Sequence, residues 1–367
     1  MAISLINDYN YGAHPQVLQR LVDTNMIAEP GYGDDSFTQA ATQKIRQWAH
    51  CPQAHVTFVS GGTQTNQLVI DLLLQPYEGV IATTSAHIAW HEAGAIEFTG
   101  HKVITLPEHD GKLLASDVRQ YLHEFELEDT HEHMVQPGMI YITQPTELGT
   151  LYTLEELEEL SALAHSSGLP LFIDGARLGY ALQSPACDVT PADLARLSDV
   201  FYIGGTKMGA LCGEAVVFTR PELVPRHLLT RIKQHGALLA KGRLCSVQFD
   251  ALFTHMPDVY GGESQTGGVL YDQIGTHADN LAARLHDILA AKGYRFLNES
   301  VTNQQFVIVP AHVVEPFKQV VDAGVWEHRD DGSQVLRSMT IGRGGGCAPS
   351  RPPRPPARLT TPYGGRH

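Results

Sequence analysis

The chain has 367 residues, 43% of them hydrophobic, and a formal net charge of -14. That length allows a large core and two domains, and the acidic balance argues against nucleic acid or anionic membrane as partner, since both select basic surface. No apolar run approaches the roughly 20 residues that span a bilayer, the N-terminus reads as no signal peptide, and five scattered cysteines form no disulfide or metal framework, which together point to a reducing cytoplasm.

Strands and helices alternate through the first two thirds. Val56–Val59 reads as a strand, and Ser60-Gly61-Gly62-Thr63-Gln64-Thr65-Asn66 then opens a helical stretch, Gln67–Leu74. Small residues at a helix N-terminus let backbone N–H groups approach an anion, and Thr63 adds a hydroxyl. Gly79–Thr83 is the next strand, and His87 lies just beyond it, where a flat imidazole can stack on a ring. Lys102–Leu106 and Met139–Thr143 are further strands. Between the last two, His131-Glu132-His133 sits in a strongly polar stretch that reads as solvated, and no metal is expected there.

The clearest unit follows. Thr153 with Glu156 forms a capping-box pattern, Leu154, Leu157, Leu160, Leu163 and Ala164 recur at helical spacing, and Gly168 stops the helix. An apolar run then delivers Asp174. Strand, helix and strand of this length imply parallel pairing with a right-handed crossover, and ligands bind beyond the carboxyl ends of such strands. A second run, Val200–Ile203, delivers Gly204-Gly205-Thr206-Lys207. A carboxylate at one strand end and an amine at another are what pyridoxal 5'-phosphate needs: one holds the ring nitrogen protonated, the other holds the aldehyde as a Schiff base. Arg177, close to Asp174, can grip a substrate carboxylate bidentately.

From about Tyr271 the pattern changes to helices at Asp279–Leu289 and Val313–Ala323 with a strand at Asn303–Val309. The expected division is a large cofactor-binding domain, 1–250, a smaller α+β domain, 251–341, and a tail, 342–367. The tail has five arginines, no acids and two Pro-Pro pairs, a composition expected to be disordered.

The series GYGDDS, SGGTQTN, AHI-x-x-HE-x-GA, FIDGAR and GGTK-x-G resembles, over roughly residues 4 to 340, the low-specificity threonine aldolases, fold-type I enzymes grouped with the β-eliminating lyases. The resemblance implies an α/β fold with a mostly parallel central sheet, pyridoxal phosphate as cofactor, and cleavage of a β-hydroxy-α-amino acid to glycine and an aldehyde. By position it implies Lys207 as the Schiff-base lysine, Asp174 as the ring-nitrogen partner and His87 as the stacking ring. Gly62 and Thr63 become the phosphate cradle, with Thr206 beside the lysine; Arg177 and Arg337 become the carboxylate ligands. Lys241 resembles a basic residue that reaches a neighbouring subunit's phosphate, which implies a homodimer, often doubled to a homotetramer.

Three departures stand out. Glu147 occupies a position where many family members carry a histidine near the substrate hydroxyl, so Glu147, His87 through water, or water alone becomes the base. Asn7 replaces a serine that helps hold the carboxylate. The family's chain continues past the Arg337 position into a strand and closing helix, whereas this one enters the Gly/Pro/Arg tail. Two rivals share the cofactor residues: another amino-acid lyase or aminotransferase, with Lys207 taking the α-proton, and a cofactor-binding protein whose altered C-terminus impairs turnover.

Overall fold

The computed structural model describes residues 2–261 and 267–342. The expected disorder of the tail therefore falls, Gly342 apart, outside the described residues.

Among the described residues, seven strands form the central sheet: β1 (His55–Val59), β2 (Glu78–Thr83), β3 (Val103–Leu106), β4 (Gln136–Thr143), β5 (Leu171–Asp174), β6 (Val200–Gly204) and β7 (Glu214–Phe218). They are ordered β1-β7-β6-β5-β4-β2-β3. β7 runs antiparallel to both its neighbours, and the remaining pairs are parallel. The strands alternate strictly between two hydrophobic clusters. Ile140, Ile142, Leu171, Ile173, Phe201 and Ile203 face one; Met139, Tyr141, Phe172, Val200 and Tyr202 face the other. Both faces are covered, which is why these strands read as continuous apolar runs in the sequence.

The helix α1 (Gly62–Leu73) packs Leu68, Val69 and Ile70 into the second cluster. The crossover helix α2 (Leu154–Ser166) carries the expected capping box: Glu156 N–H donates to the Thr153 hydroxyl at 3.2 Å, and Thr153 N–H donates to the Glu156 carboxylate at 2.8 Å. Gly168 follows with φ of +70°, a backbone state that glycine adopts without cost. Where β5 and β6 end, the chain needs glycine for another reason. A Cβ on Gly204 would lie 2.2 Å from the Ala176 carbonyl oxygen, so only a bare backbone lets the two strand ends meet.

The helix α3 (Leu270–Ala291) is twice the expected length. Its first half buries Leu270, Tyr271, Ile274 and Ala278 in the large core, and Leu289 near its end enters a separate smaller core. Beyond it, four antiparallel strands, β8 (Arg295–Phe296), β9 (Gln304–Val309), β10 (Gly324–His328) and β11 (Gln334–Met339), form a second sheet ordered β8-β9-β11-β10. The helix expected over Val313–Ala323 covers only Val314–Val320. The following Val321–Asp322 pairs in parallel with Ile3–Ser4 instead, a β-branched residue taking the extended state that suits it. Leu5 accepts a hydrogen bond from Met339 N–H at 2.8 Å, so the N-terminal segment is laced to the small sheet and carried toward the large one.

Candidate active site

The carboxyl ends of β2, β4, β5 and β6 converge on one cavity of about 590 Å³. His87 comes from the turn after β2, Glu147 from the loop after β4, Arg177 from the turn after β5 and Lys207 from the turn after β6. The small sheet closes the opposite wall with Val325, Trp326 and Glu327 of β10 and Arg337 of β11, and Tyr9 enters from the N-terminal segment.

Asp174 is buried beneath this cavity, on the face that carries Tyr141 and Tyr202 from the adjacent strands. One carboxylate oxygen accepts from the Tyr141 hydroxyl at 2.5 Å and from the Asn66 amide at 3.0 Å; the other accepts from Ala176 N–H at 2.9 Å. Burial first, and the Asp174 charge second, hold the pKa of both tyrosines well above its ordinary value, so they remain donors. The Asn66 amide also donates to Glu92 at 2.8 Å, and the same Glu92 oxygen meets His87 Nδ1 at 2.8 Å. Burial works against a charged His87 ring, but the Glu92 hydrogen bond and the charges of Glu147, Asp174 and Glu92 outweigh it and raise its pKa.

The Lys207 amine has no hydrogen-bond or ion-pair partner among the described residues. Burial, with Arg177 nearby, pulls its pKa below the ordinary value although Asp8, Glu147 and Asp174 oppose this. An amine so placed is a better nucleophile than a solvated lysine. Its loop is pinned from below by Glu214 of β7, which accepts from Gly205 N–H at 2.9 Å and from the Thr206 hydroxyl at 2.8 Å. Burial pushes the Glu214 carboxyl up to about 7, despite those two hydrogen bonds.

The two arginines differ. Arg177 is almost fully buried and is held by Asp8, Nε to Oδ2 at 2.6 Å and Nη2 to Oδ1 at 3.1 Å. Burial disfavours its charge, and Asp8 more than restores it, raising its pKa. Arg337 has no carboxylate partner among the described residues; its guanidinium stacks 5.0 Å over the Trp326 ring. Burial and the Arg177 charge lower its pKa, an electrostatic setting that a bound anion would relieve. Glu147, only 8% exposed, faces the positive side of the site: its charge acts on His87, His91, Arg177, Lys207 and Arg337.

Besides Asp174, five sequence-selected residues lie outside the cavity lining. Asn7 turns its side-chain oxygen to Tyr9 N–H at 3.1 Å, and its neighbour Asp8 is the residue that reaches Arg177. Thr206 spends its hydroxyl proton on Glu214. Gly62 and the exposed Thr63 stand at the N-terminus of α1 after an uncapped Gly61. Lys241 is exposed in the loop before Arg243–Leu252, where the neighbouring Ala240 carbonyl accepts from Tyr32 N–H at 3.1 Å. Asn66, Glu92, Tyr141 and Asp8 are the converse: they build the site, yet the first two appear in the sequence only as unassigned letters of SGGTQTN and HE-x-GA.

A family model described as beta-eliminating lyase matches residues 14–312. A low specificity L-threonine aldolase from a Pseudomonas species is 35% identical over 248 residues, 66% of this chain and 69% of that one. A threonine aldolase structure from Leishmania major is 42% identical, covers 92% of this chain and 94% of its own, and superimposes with a TM-score of 0.85. The chain belongs to the beta-eliminating lyase family. The fold is accordingly that of the fold-type I pyridoxal-phosphate enzymes, and an aspartate aminotransferase variant from Thermus thermophilus shares it at 15% identity with a TM-score of 0.64.

The residues fit that cofactor. A Cβ at Gly62 would come within 3.3 Å of the Tyr202 hydroxyl, so glycine lets the N-terminus of α1 lie close against β6, and its uncapped N–H groups suit an anion. One turn along α1, Asn66 touches Asp174. The first turns of α1 are thus joined through Asn66 to the buried Asp174 carboxylate, and the unpartnered Lys207 amine follows the end of the neighbouring strand.

Proposed function

We propose that the chain cleaves a threonine-like β-hydroxy-α-amino acid to glycine and an aldehyde. The observation that carries this is the unpartnered Lys207 amine beside buried Asp174, with unpaired Arg337 and carboxylate Glu147 on the substrate side. Two relatives named as threonine aldolases, at 35% and 42% identity, support the same reading.

When bound, pyridoxal phosphate supplies an electron sink for the pair released as the Cα–Cβ bond breaks. The chain's residues then divide the work. Lys207, whose amine has no partner among the described residues, would hold the cofactor aldehyde. Asp174, fixed by its three donors, stabilises a proton on the ring nitrogen. Gly62 and Thr63 receive the phosphate at the α1 N-terminus, with the Thr206 hydroxyl available if it leaves Glu214, and Lys241 reaches a partner subunit's phosphate. His87 covers the ring face. Arg337, with the remaining Nη1 of Arg177, grips the substrate carboxylate, which orients the scissile bond. Glu147 takes the β-hydroxyl proton.

The same reading moves the boundary expected at 250 along the chain, since Ala251 to Ala278 pack in the large core, and treats the rest, to 341, as the smaller domain of a homodimer or homotetramer working in the cytoplasm. Four free cysteines among the described residues are in keeping with that compartment. No helix of the described residues is long and apolar enough to cross a membrane.

The test is chemical. Hydride reduction of the cofactor-loaded protein should fix the cofactor on the peptide containing Lys207, and Lys207→Ala should lose both the visible band and threonine cleavage. Labelling of another lysine would overturn the site.

A further inference from the structure

Glu92 does not line the cavity, yet it is the node through which two cavity groups are joined. It is buried, and one carboxyl oxygen serves both His87 Nδ1 and the Asn66 amide, each at 2.8 Å. Asn66 passes the connection to Asp174 at 3.0 Å, so one amide nitrogen bridges two carboxyl groups. The other Glu92 oxygen is buried with no partner among the described residues. A buried oxygen left unpaired costs stability, and a fold that keeps one calls for an explanation. The backbone is arranged around it as well. Directly after Glu92 the chain turns through Ala93 at φ of +52° and Gly94 at +73°, and Ala93 is a residue type that rarely adopts such a state.

We propose that Glu92 is a positioning residue: it holds His87 with Nδ1 directed into the protein and Nε2 toward the cavity, and through Asn66 it keeps this ring in register with Asp174. The proposal rests on the reading of His87 and Asp174 as the groups above and beside the cofactor ring. A histidine whose Nδ1 proton is committed to a carboxyl group has a fixed tautomer and a fixed ring plane. The groups that act on His87 are Glu92, Glu147 and Asp174, which favour its charged form, and His91, which stands 5.5 Å from it ring to ring. Of these, only Glu92 touches Nδ1. Removing its charge while keeping its shape therefore alters His87 more than it alters the fold.

The experiment is a double-mutant cycle on the cofactor-loaded enzyme with Glu92→Gln and His87→Phe, the second keeping a flat ring without nitrogens. In Glu92→Gln the titration midpoint of His87, followed by NMR of its ring nitrogens, should fall by about one pH unit. The same variant should lose kcat about tenfold with KM held within about twofold, and should keep the visible cofactor band. In the His87→Phe background the Glu92 substitution should cost nothing further. If Glu92→Gln yields no cofactor-loaded protein, Glu92→Asp, too short to reach both partners, should show the same shift and the same loss of coupling. An equal cost with and without His87 would make Glu92 merely structural, and an unchanged His87 midpoint would overturn the proposal. Unaltered kcat and spectrum in His87→Phe alone would instead sink the role given to His87.

Discussion

Two buried aspartates in this chain have opposite surroundings. Asp174 is 4% exposed and Asp279 is 6% exposed. Asp174, at the end of β5, receives three hydrogen bonds from Tyr141, Asn66 and Ala176. Asp279, on α3 where that helix turns from the large core to the small sheet, receives none on either oxygen among the described residues, and burial pushes its pKa up to about 9. Among the described residues, orphaned polar atoms cluster on the neighbouring small sheet too, with both amide atoms of Gln304 and the Ser338 hydroxyl unpaired. The difference teaches where the fold has invested its donors. Around Lys207 the sheet places tyrosines on both strands that flank the aspartate. Around Asp279 the packing shields a carboxyl group without compensating it, at a cost of roughly 1–3 kcal/mol for each unmet group.

The largest effect should come from Asp174→Asn. The variant should retain the cofactor and its visible band, while kcat falls roughly 10²–10³-fold, because an amide cannot balance a charged ring nitrogen. Near-normal turnover would erase the distinction between the two aspartates.

A third carboxyl group sharpens it. Glu147 is buried like Asp174, though about twice as exposed, and its neighbours are cations rather than neutral donors. Glu147→Gln should slow threonine cleavage about 10²-fold and leave glycine binding intact, as expected of a lost base. If glycine binding falls in parallel, measured by spectral titration, Glu147 is structural.

Tyr141→Phe removes only the shortest of the Asp174 donors, and should lower kcat about tenfold with little change in thermal stability. The smallest effect belongs to the other aspartate. An acid whose pKa is raised on folding destabilises the fold as pH rises. Above about pH 4 the unfolded chain releases the proton, and the folded chain keeps it until about pH 9. Asp279→Asn should therefore flatten the decline of Tm across that window and raise Tm at pH 8 by roughly 2–5 °C. Scanning calorimetry at several pH values decides it; an unchanged slope would show that Asp279 has partners in solution.

Much of the large domain was legible in the residues. β4, β5 and β6 could be read because burial on both faces leaves unbroken apolar runs, and α2 because its cap and its period are both local. The residues at the strand ends, Asp174 and Lys207, stood out as polar groups after those runs. What could not be read depends on partners far along the chain. Asp8 meets Arg177 across 169 positions and Asn66 meets Asp174 across 108, and no local spacing announces either contact. β7 lies between β1 and β6 and runs against both, which its own apolar pattern does not reveal. Towards the small sheet, only the second half of α3 is legible because its first half belongs to the other core, and Val321–Asp322 forms a strand only because Ile3–Ser4 reaches it.

The central claim is that this site breaks the Cα–Cβ bond of a β-hydroxy amino acid. Incubating the cofactor-loaded protein with L-threonine and quantifying every product tests it directly. Glycine and acetaldehyde should appear in equal amounts, with none from Lys207→Ala. A 2-keto acid with ammonia, and no glycine, would show that the same residues carry out elimination, and would contradict it.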